Sequence, residues 1–190
     1  MGARDTLLFW LRYLRSPLTV GGTPSSAKLA RAMVDALELK GGETIVEIGP
    51  GTGPFTRELI RRGVPQAKLV LVEFDPGFAR HLAREFPGAA VLNQDARHLP
   101  QILARLGHGP VRHMISGLPF RSLPPETRSA ITSAIGQCLK PGGVCAQFSY
   151  FNIEPFPRED ALKAGLTPDP PVPVQGNLPK AYVWRYVRRA

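Results

Sequence analysis

The sequence predicts an α/β fold in which helices cover both faces of a mainly parallel sheet. From residue 43 onward, runs rich in β-branched and other apolar residues alternate with segments that carry apolar residues at helical spacing. Proline stands near the start of several of these helical segments. This alternation of strand and helix is typical of parallel sheets. A length of 190 residues suits one domain, so we predict a single domain over residues 1–190.

Strand patterns occur at five places in this part of the chain. They are ETIVEI (43–48), KLVLVEF (68–74), AAVLNQ (89–94), VRHMIS (111–116) and VCAQFSY (144–150). Helical patterns between them cover residues 54–63, 76–86, 99–107 and 124–139. A further helix, AKLARAMVDAL (27–37), is predicted before the first strand, with Ser25 and Ser26 in its capping position.

The pattern changes after Tyr150. A Pro-rich stretch (154–179) leads into AYVWRYV (181–187), which alternates as a strand does. Gly176 and Asn177 are turn residues, so we predict a hairpin whose last strand runs antiparallel to the others. A lid or irregular loop is the alternative for the Pro-rich stretch.

A glycine-rich turn follows the first predicted strand in VEIGPGTG (46–53). A strand that feeds a helix through Gly49, Gly51 and Gly53 can bring its backbone close to a ligand at the carboxyl edge of the sheet. Tight strand-to-helix turns that bind nothing also use glycine, so the turn is a weak signal alone. Because no Gly-Lys-Ser/Thr follows, it is not the P-loop of nucleotide hydrolases.

Two carboxylates after the next strands make the signal more specific. Glu73 ends the second strand about 20 residues on, where a carboxylate can accept both hydroxyls of a ribose. Asp95 follows the third strand, where it can border an adenine. We include the adjacent Phe74 and Ala96 in this predicted nucleoside site.

Glu47 precedes the glycines and indicates the charge of the ligand. A carboxylate there would repel a pyrophosphate, whereas it suits the ammonium and sulfonium of S-adenosylmethionine. We expect Glu47 either to touch the methionyl part or to hold the loop. With LVEFD (71–75) and NQDA (93–96), VEIGPGTG resembles the class I S-adenosylmethionine-dependent methyltransferases from about residue 43 to the C-terminus. The resemblance implies a three-layer, doubly wound, seven-stranded sheet with a reversed last strand.

Three further segments resemble the bacterial phospholipid N-methyltransferases, which convert phosphatidylethanolamine stepwise to phosphatidylcholine. They are SPLTVGGTPSSAKLARAM (16–33), SGLPF (116–120) and NLPKAYVWRYVR (177–188). In that family the first segment covers the donor site, which implies that Ser25 and Ser26 contact the methionyl carboxylate. Ser116 is also assigned to the donor site. The resemblance implies a phospholipid substrate and a single donor, S-adenosylmethionine, with no metal.

The ribosomal RNA adenine dimethylases share EIGPGTG and give the alternative function. They use Asn-Leu-Pro-Phe/Tyr after the fourth strand, where the Asn side chain and the adjacent carbonyl hold the adenine amino group. Here the first position is Gly117, which cannot supply that hydrogen bond. Those enzymes carry a helical domain after the last strand, which we do not expect here, and we therefore expect no nucleic-acid partner. A donor-binding module without catalytic activity is the third alternative.

Residues 4–18, RDTLLFWLRYLRSPL, are predicted to form an amphipathic membrane-binding helix. A helical wheel gathers an apolar stripe of Leu7, Leu11, Leu14 and Leu18. Arg4, Arg12 and Arg15 lie beside or behind the stripe, where they would meet anionic headgroups. The alternative from spacing alone is a helix packed on the sheet.

Composition agrees with an anionic partner and a reducing compartment. The formal net charge is +9, which favours a nucleic acid or an acidic membrane surface. Cys138 and Cys145 have no ligand spacing and are predicted to be reduced core residues. No apolar run is long enough to span a bilayer. We therefore expect a cytoplasmic protein, peripheral on the inner face of the cytoplasmic membrane.

Methyl transfer to an amine needs a group that accepts a proton. An amine with a reference pKa of about 10 has no lone pair until it is deprotonated. The candidates are backbone carbonyls around Ser116 and Gly117, water, and the Tyr150 hydroxyl. Phe120, Tyr150 and Trp184 are candidates for an ammonium pocket, with core packing as the plainer role. Arg97 and Arg185 are candidates for the lipid phosphate.

Overall fold

The computed structural model describes residues 24–150, 152–177 and 179–189, with side chains described from residue 27 onward. It confirms the predicted α/β architecture. The predicted helix over residues 4–18 and the side chains of Ser25 and Ser26 lie outside the described part. None of the helices described is long and apolar enough to cross a membrane.

The described residues form one sheet of eight strands. Its strands are β1 (Ile45–Ile48), β2 (Leu69–Glu73), β3 (Ala90–Asn93), β4 (Val111–Ser116), β5 (Leu139–Tyr150), β6 (Leu166–Pro168), β7 (Val172–Pro173) and β8 (Ala181–Arg188). Neighbouring strands follow the order β3-β2-β1-β4-β5-β8-β6, and β7 also pairs with β8. The first five are mutually parallel, and β8 is antiparallel to β5.

Helices cover both faces of this sheet. They are α1 (Pro24–Asp35), α2 (Pro54–Arg61), α3 (Pro76–Glu85), α4 (Leu99–Arg105), α5 (Pro125–Cys138) and α6 (Arg158–Lys163). Buried residues of α1, α2 and α3 form one apolar core against the sheet, and those of α4, α5 and α6 form the other. Since every residue of β1 and β2 is buried, these strands carry apolar side chains on both faces.

The start of α1 differs from the prediction. The helix begins at Pro24, so Ser25 and Ser26 lie in its first turn instead of capping it from outside. Proline suits the first helical position because its φ angle is fixed near the helical value and its missing N–H would be unpaired there.

The C-terminal part confirms the predicted hairpin and adds detail to the Pro-rich stretch. The β7–β8 connection contains Gly176 in the left-handed region, and the Val174 N–H donates to the Ala181 carbonyl. The Pro-rich stretch also forms α6 and the short strand β6, both of which the sequence pattern missed. Helix α6 has six residues and strands β6 and β7 have three and two, so these elements are too short to show periodicity.

Candidate active site

The strand order creates a crevice at the carboxyl ends of β1 and β4. The chain runs outward from β1 through β2 to β3 and then returns to β4 on the other side of β1. Ligands of such sheets bind outside the carboxyl ends of the strands, at this change of direction. The predicted site residues at the ends of β1, β2, β3 and β4 therefore lie along one edge.

The glycine turn leaves β1 through a backbone shape that side chains disfavour. Gly49, Gly51 and Gly53 have φ angles of +65°, +58° and +80°. A Cβ atom on Gly49 would stand 2.3 Å from Cδ2 of Leu118, so this turn packs directly against the segment after β4. Gly53 is the N-cap of α2. The turn thus brings backbone, and not side chains, to the crevice.

Glu73 connects the tip of β2 to the glycine turn. Its carboxylate accepts the Gly51 N–H at 3.0 Å and the Asp75 N–H at 2.9 Å. Burial raises the pKa of Glu73, although these hydrogen bonds oppose the increase. The carboxylate is therefore held in place at the edge of the crevice by the backbone around it.

A cavity of about 310 Å³ opens beside this carboxylate. Gly49, Glu73, Phe74, Asp95 and Ala96 all line it, so the structure brings five of the predicted donor-site residues together. The volume lies at the lower end of the range for small-molecule sites. Contact of these residues with a ligand remains a prediction.

Asp95 is held by Arg97 at the rim of this cavity. Its carboxylate accepts the Arg97 N–H at 2.9 Å and two guanidinium hydrogen bonds at 3.0 and 2.7 Å. Burial opposes ionisation, but the bonds from Arg97 outweigh it and lower the pKa of Asp95. Arg97 already pairs with a carboxylate here, which weakens its candidacy as a phosphate ligand.

Glu47 lies behind the glycine turn and is fully buried. One carboxylate oxygen accepts the Thr56 hydroxyl at 2.6 Å, so Glu47 ties β1 to the first turn of α2. The other oxygen, Oε1, has no hydrogen-bond donor among the described residues. Burial raises the pKa of Glu47 to about 8. Glu47 thus joins β1 to α2 across the glycine turn. It is not among the residues that line the cavity, so its contact with the methionyl part stays a prediction.

Ser116 and Gly117 end β4 beneath the crevice. Ser116 is fully buried, and the Gly117 N–H donates to the Ile48 carbonyl at 2.8 Å. A Cβ atom at position 117 would lie 2.5 Å from the Gly49 carbonyl oxygen. Because the two turns touch through their backbones, position 117 has no space for a side chain in this conformation.

The three aromatic residues predicted for an ammonium pocket differ in how deeply they are buried. Phe120 is buried and packs on Phe156 with 4.5 Å between ring centroids, and the Trp184 indole donates to the Ser149 hydroxyl at 2.8 Å. Both rings are therefore core residues. Tyr150 is half-buried and its pKa is raised by burial. Its ring meets Phe148 edge to face.

Arg185 lies away from the site. It pairs with Ala146, in the middle of β5, and its guanidinium bonds the Ala36 carbonyl and the Glu38 and Asp169 carboxylates. These partners hold it beside the end of α1, so the structure does not place it as a ligand for a phosphate in the crevice.

Several residues near the crevice escaped the sequence reasoning. Leu118, Thr127 and Ile131 line the cavity, and Thr56 holds Glu47. The Thr56 hydroxyl donates to Glu47 from α2 to β1, so this bond is a tertiary contact that no local pattern indicated. Thr127 and Ile131 lie on α5, which reaches the cavity only through tertiary packing.

The donor set fits S-adenosylmethionine. Gly49 of the glycine turn lines the cavity without a side chain, Glu73 offers a carboxylate beside it, and Glu47 has a buried oxygen without a donor among the described residues. A buried acceptor of this kind is costly unless a ligand donates to it. Within the described residues, no three His, Cys, Asp or Glu side chains come together as a metal site.

Comparison with known proteins identifies the family. A methyltransferase domain family matches residues 45–143. An ornithine lipid N-methyltransferase from Singulisphaera acidiphila is 32% identical over 150 residues, which cover 77% of this chain and 78% of that enzyme. A ribosomal RNA small subunit methyltransferase A from Hydrogenobaculum is 37% identical over 71 residues, but the match covers only 27% of its length.

Solved structures share the fold. The N-methyltransferase NodS from Bradyrhizobium japonicum, in complex with S-adenosylhomocysteine, superposes with a TM-score of 0.74 at 14% identity and covers 98% of this chain and 100% of its own. Magnesium protoporphyrin IX methyltransferase from Synechocystis, with bound S-adenosylmethionine, has a TM-score of 0.66 at 15% identity and covers 99% and 98%. The predicted methyl donor is thus confirmed, and the chain belongs to the class I S-adenosylmethionine-dependent methyltransferases.

Proposed function

We propose that this methyltransferase transfers methyl groups to the amino group of phosphatidylethanolamine and its mono- and dimethyl derivatives, toward phosphatidylcholine, at a membrane surface. The observation that carries the proposal is similarity to a lipid enzyme along most of both chains. The ornithine lipid N-methyltransferase aligns over 77% of this chain, whereas the Hydrogenobaculum RNA enzyme aligns over 37%. The match to the lipid enzyme spans 150 residues, whereas the match to the RNA enzyme spans 71.

The packing at Gly117 argues against RNA adenine as the substrate. The RNA enzymes are expected to hold the adenine amino group with an asparagine at this position. Here the backbone of Gly117 packs on the Gly49 carbonyl, and even a Cβ atom would approach it to 2.5 Å. An asparagine would need the two turns to separate, which supports an amine other than adenine as the substrate.

The chain's own residues would hold the donor as follows. Glu73, held by Gly51 and Asp75, would accept the ribose hydroxyls, and Asp95 and Phe74 would border the adenine. Glu47 would pair through its Oε1 atom with the methionyl ammonium. When bound, S-adenosylmethionine supplies an electrophilic methyl group. The site would act mainly by holding the amine nitrogen in line with the bond between the sulfur and the methyl carbon.

Tyr150 is proposed to orient the amine as a hydrogen-bond acceptor. Burial raises the pKa of Tyr150, so its side chain stays a neutral phenol at neutral pH. A neutral phenol oxygen can accept an N–H hydrogen bond, but it cannot remove the proton of an alkylammonium. The proton itself would leave to water after Tyr150 and the carbonyls near Ser116 have aligned the amine.

Labelled S-adenosylmethionine tests the substrate. The full-length protein is incubated with vesicles of phosphatidylethanolamine, with vesicles of ornithine lipid, or with small ribosomal subunits. We expect label in phosphatidylethanolamine. Label only in ornithine lipid would show that this lipid, and not phosphatidylethanolamine, is the substrate. Label only in RNA would refute a lipid function. Label in none of the three would favour a donor-binding module without catalytic activity.

A further inference from the structure

Gln147 is a buried amide that neither the sequence patterns nor the donor site explains. It lies on β5, is fully buried, and pairs in the sheet with Ser116 of β4 and Trp184 of β8. Its Oε1 atom has no hydrogen-bond donor within the described part of the chain. Buried acceptors without donors are rare because they destabilise the folded state, so this oxygen requires an explanation.

The hydrogen bonds of the amide nitrogen fix which way the amide points. Nε2 donates to the Leu118 carbonyl and to the Phe148 carbonyl, both at 2.9 Å. Exchanging the nitrogen and oxygen would place the oxygen against two other oxygens, which is repulsive. The acceptor atom must therefore be the one that is left without a donor.

Gln147 is in register across the sheet with two residues that line the cavity. Val72 pairs with Ile48, Ile48 with Ser116, and Ser116 with Gln147, so the four side chains point to one face. Val72 and Ile48 line the cavity. Adjacent strands are separated by about 4.8 Å, which puts Gln147 about 10 Å across the sheet from Ile48, beyond Ser116.

Two of the candidate acceptors in the segment after β4 are used or missing. The Leu118 carbonyl accepts both the Gln147 amide and the Phe120 N–H, which occupy its two lone pairs. Gly117 carries no side chain and has no space for one. Gln147 Oε1 is thus a buried side-chain acceptor beside the end of β4 to which no described residue donates.

We infer that Gln147 Oε1 binds an N–H of the methyl-accepting amine and takes the place of the acceptor that Gly117 cannot supply. The inference rests on the proposed function and deepens it by naming a specificity-determining residue. The Leu118 carbonyl, bound to the same amide, couples this contact to the segment that lines the cavity.

The chemistry predicts which methylation steps use Gln147. In each step the amine lone pair forms the new N–C bond while the C–S bond breaks and its electron pair stays on sulfur. A neutral primary or monomethylated amine keeps at least one N–H, which becomes more acidic as the nitrogen gains positive charge. Its hydrogen bond to Gln147 strengthens toward the transition state. A neutral dimethylated amine has no N–H, so the third step cannot use this contact.

The test compares Gln147→Met with the wild-type protein on vesicles of phosphatidylethanolamine and of its monomethyl and dimethyl derivatives. We expect kcat/KM to fall about 10- to 100-fold for the first two lipids, as for the loss of one hydrogen bond to a group that becomes charged. For the dimethyl lipid kcat/KM should change less than about threefold. The affinity for S-adenosylhomocysteine, measured by calorimetry, should not change. Should the methionine variant fail to fold, Gln147→Asn shortens the amide and predicts the same selective loss.

Ser149→Ala is the matched control, because Ser149 is a buried polar residue on the same face of β5 that bonds Trp184. It should change the three kcat/KM values by a common factor. An equal loss on all three lipids in Gln147→Met would make Gln147 only an anchor for Leu118 and overturn the inference, while the proposed function would stand. A wild-type protein that methylates none of the three lipids would refute the proposed function and this inference with it.

Discussion

The Glu47 carboxyl group is fully buried and therefore lacks the solvation that it would have in water. Burial raises its pKa from 4.5 to about 8, and Thr56 provides only one compensating side-chain hydrogen bond. The folded protein therefore binds this proton more tightly than the unfolded chain does. The contribution of Glu47 to the free energy of unfolding falls as the pH rises from about 4.5 to about 8.

Glu47→Gln should stabilise the ligand-free protein at high pH and scarcely change it at low pH. Glutamine keeps an oxygen for the Thr56 hydroxyl and removes the buried charge. We expect a Tm higher by roughly 3 °C or more at pH 8.5, about 1 kcal/mol for a domain of this size, and a much smaller difference at pH 5. Thermal unfolding across this pH range measures it. Glu159→Gln, at an exposed position, is the control and should show no such trend.

At pH 8.5, where Glu47 is ionised, the same substitution should weaken the binding of S-adenosylhomocysteine, because it removes the charge that we pair with the ammonium of the amino-acid part. An effect of about tenfold or more is the expected size for a charge-assisted hydrogen bond. Adenosine lacks the methionyl group and should bind both proteins alike. Equal affinities of the two proteins for S-adenosylhomocysteine would restrict Glu47 to holding the loop.

Gly117→Ala should damage the site although the change is a single methyl group. The new Cβ would approach the Gly49 carbonyl to 2.5 Å, so one of the two turns must move. We expect a loss of about 1–3 kcal/mol in the free energy of unfolding and weaker donor binding, measured by denaturant titration and calorimetry. Gly109→Ala is the matched control, since nothing lies within 4 Å of its added Cβ. A neutral Gly117→Ala would show that the two turns tolerate separation.

At the scale of elements, the tips of the strands are held by bonds between successive turns. Glu73 of β2 accepts the Gly51 N–H of the turn after β1, and the Gly49 N–H donates to the Val72 carbonyl. Gly117 donates to Ile48 in the same way. The edge that we assign to the donor is thus held by backbone hydrogen bonds without a ligand, and such preorganisation lowers the entropic cost of binding.

The N-terminal segment is the element proposed to contact the membrane. Replacing Arg4, Arg12 and Arg15 with Glu should abolish sedimentation with anionic vesicles, because each arginine contributes about 1 kcal/mol near such a surface. Binding of S-adenosylhomocysteine should be unchanged. Unchanged sedimentation with weaker folding would instead identify residues 4–18 as a helix packed on the sheet.

At the scale of the whole molecule, the donor site joins parts of the chain that are distant in sequence. The cavity is lined by residues from Ile48 to Ile131, on both sides of the point where the strand order reverses. A ligand that binds only this assembled edge stabilises the entire fold. S-adenosylhomocysteine at 100 times its Kd should therefore add about 2.7 kcal/mol to the free energy of unfolding. No ligand-dependent change in Tm would contradict the assignment of this cavity to the donor.

Much of this architecture could be predicted because it depends on local sequence patterns. Apolar runs separated by helical periodicity predicted the five parallel strands, and Gly176 with Asn177 predicted the final hairpin. Glycines and carboxylates directly after strands predicted the cavity edge, since parallel strands bring their carboxyl ends together. His113 shows the limit of such patterns, because β4 places this polar side chain inside the fold, with its Nε2 atom 3.5 Å from the Glu43 carboxylate.

The sequence by itself predicted the alternation of strands and helices up to β5, the final hairpin and the class of the methyl donor. Only the tertiary structure decided that Gly117 packs on Gly49, that Thr56 holds Glu47, and that Gln147 faces inward beside Ser116 with an oxygen for which no described residue is a donor. These contacts join residues of different strands and helices. Their register depends on how the whole sheet pairs and packs, a non-local property that no single segment of sequence encodes.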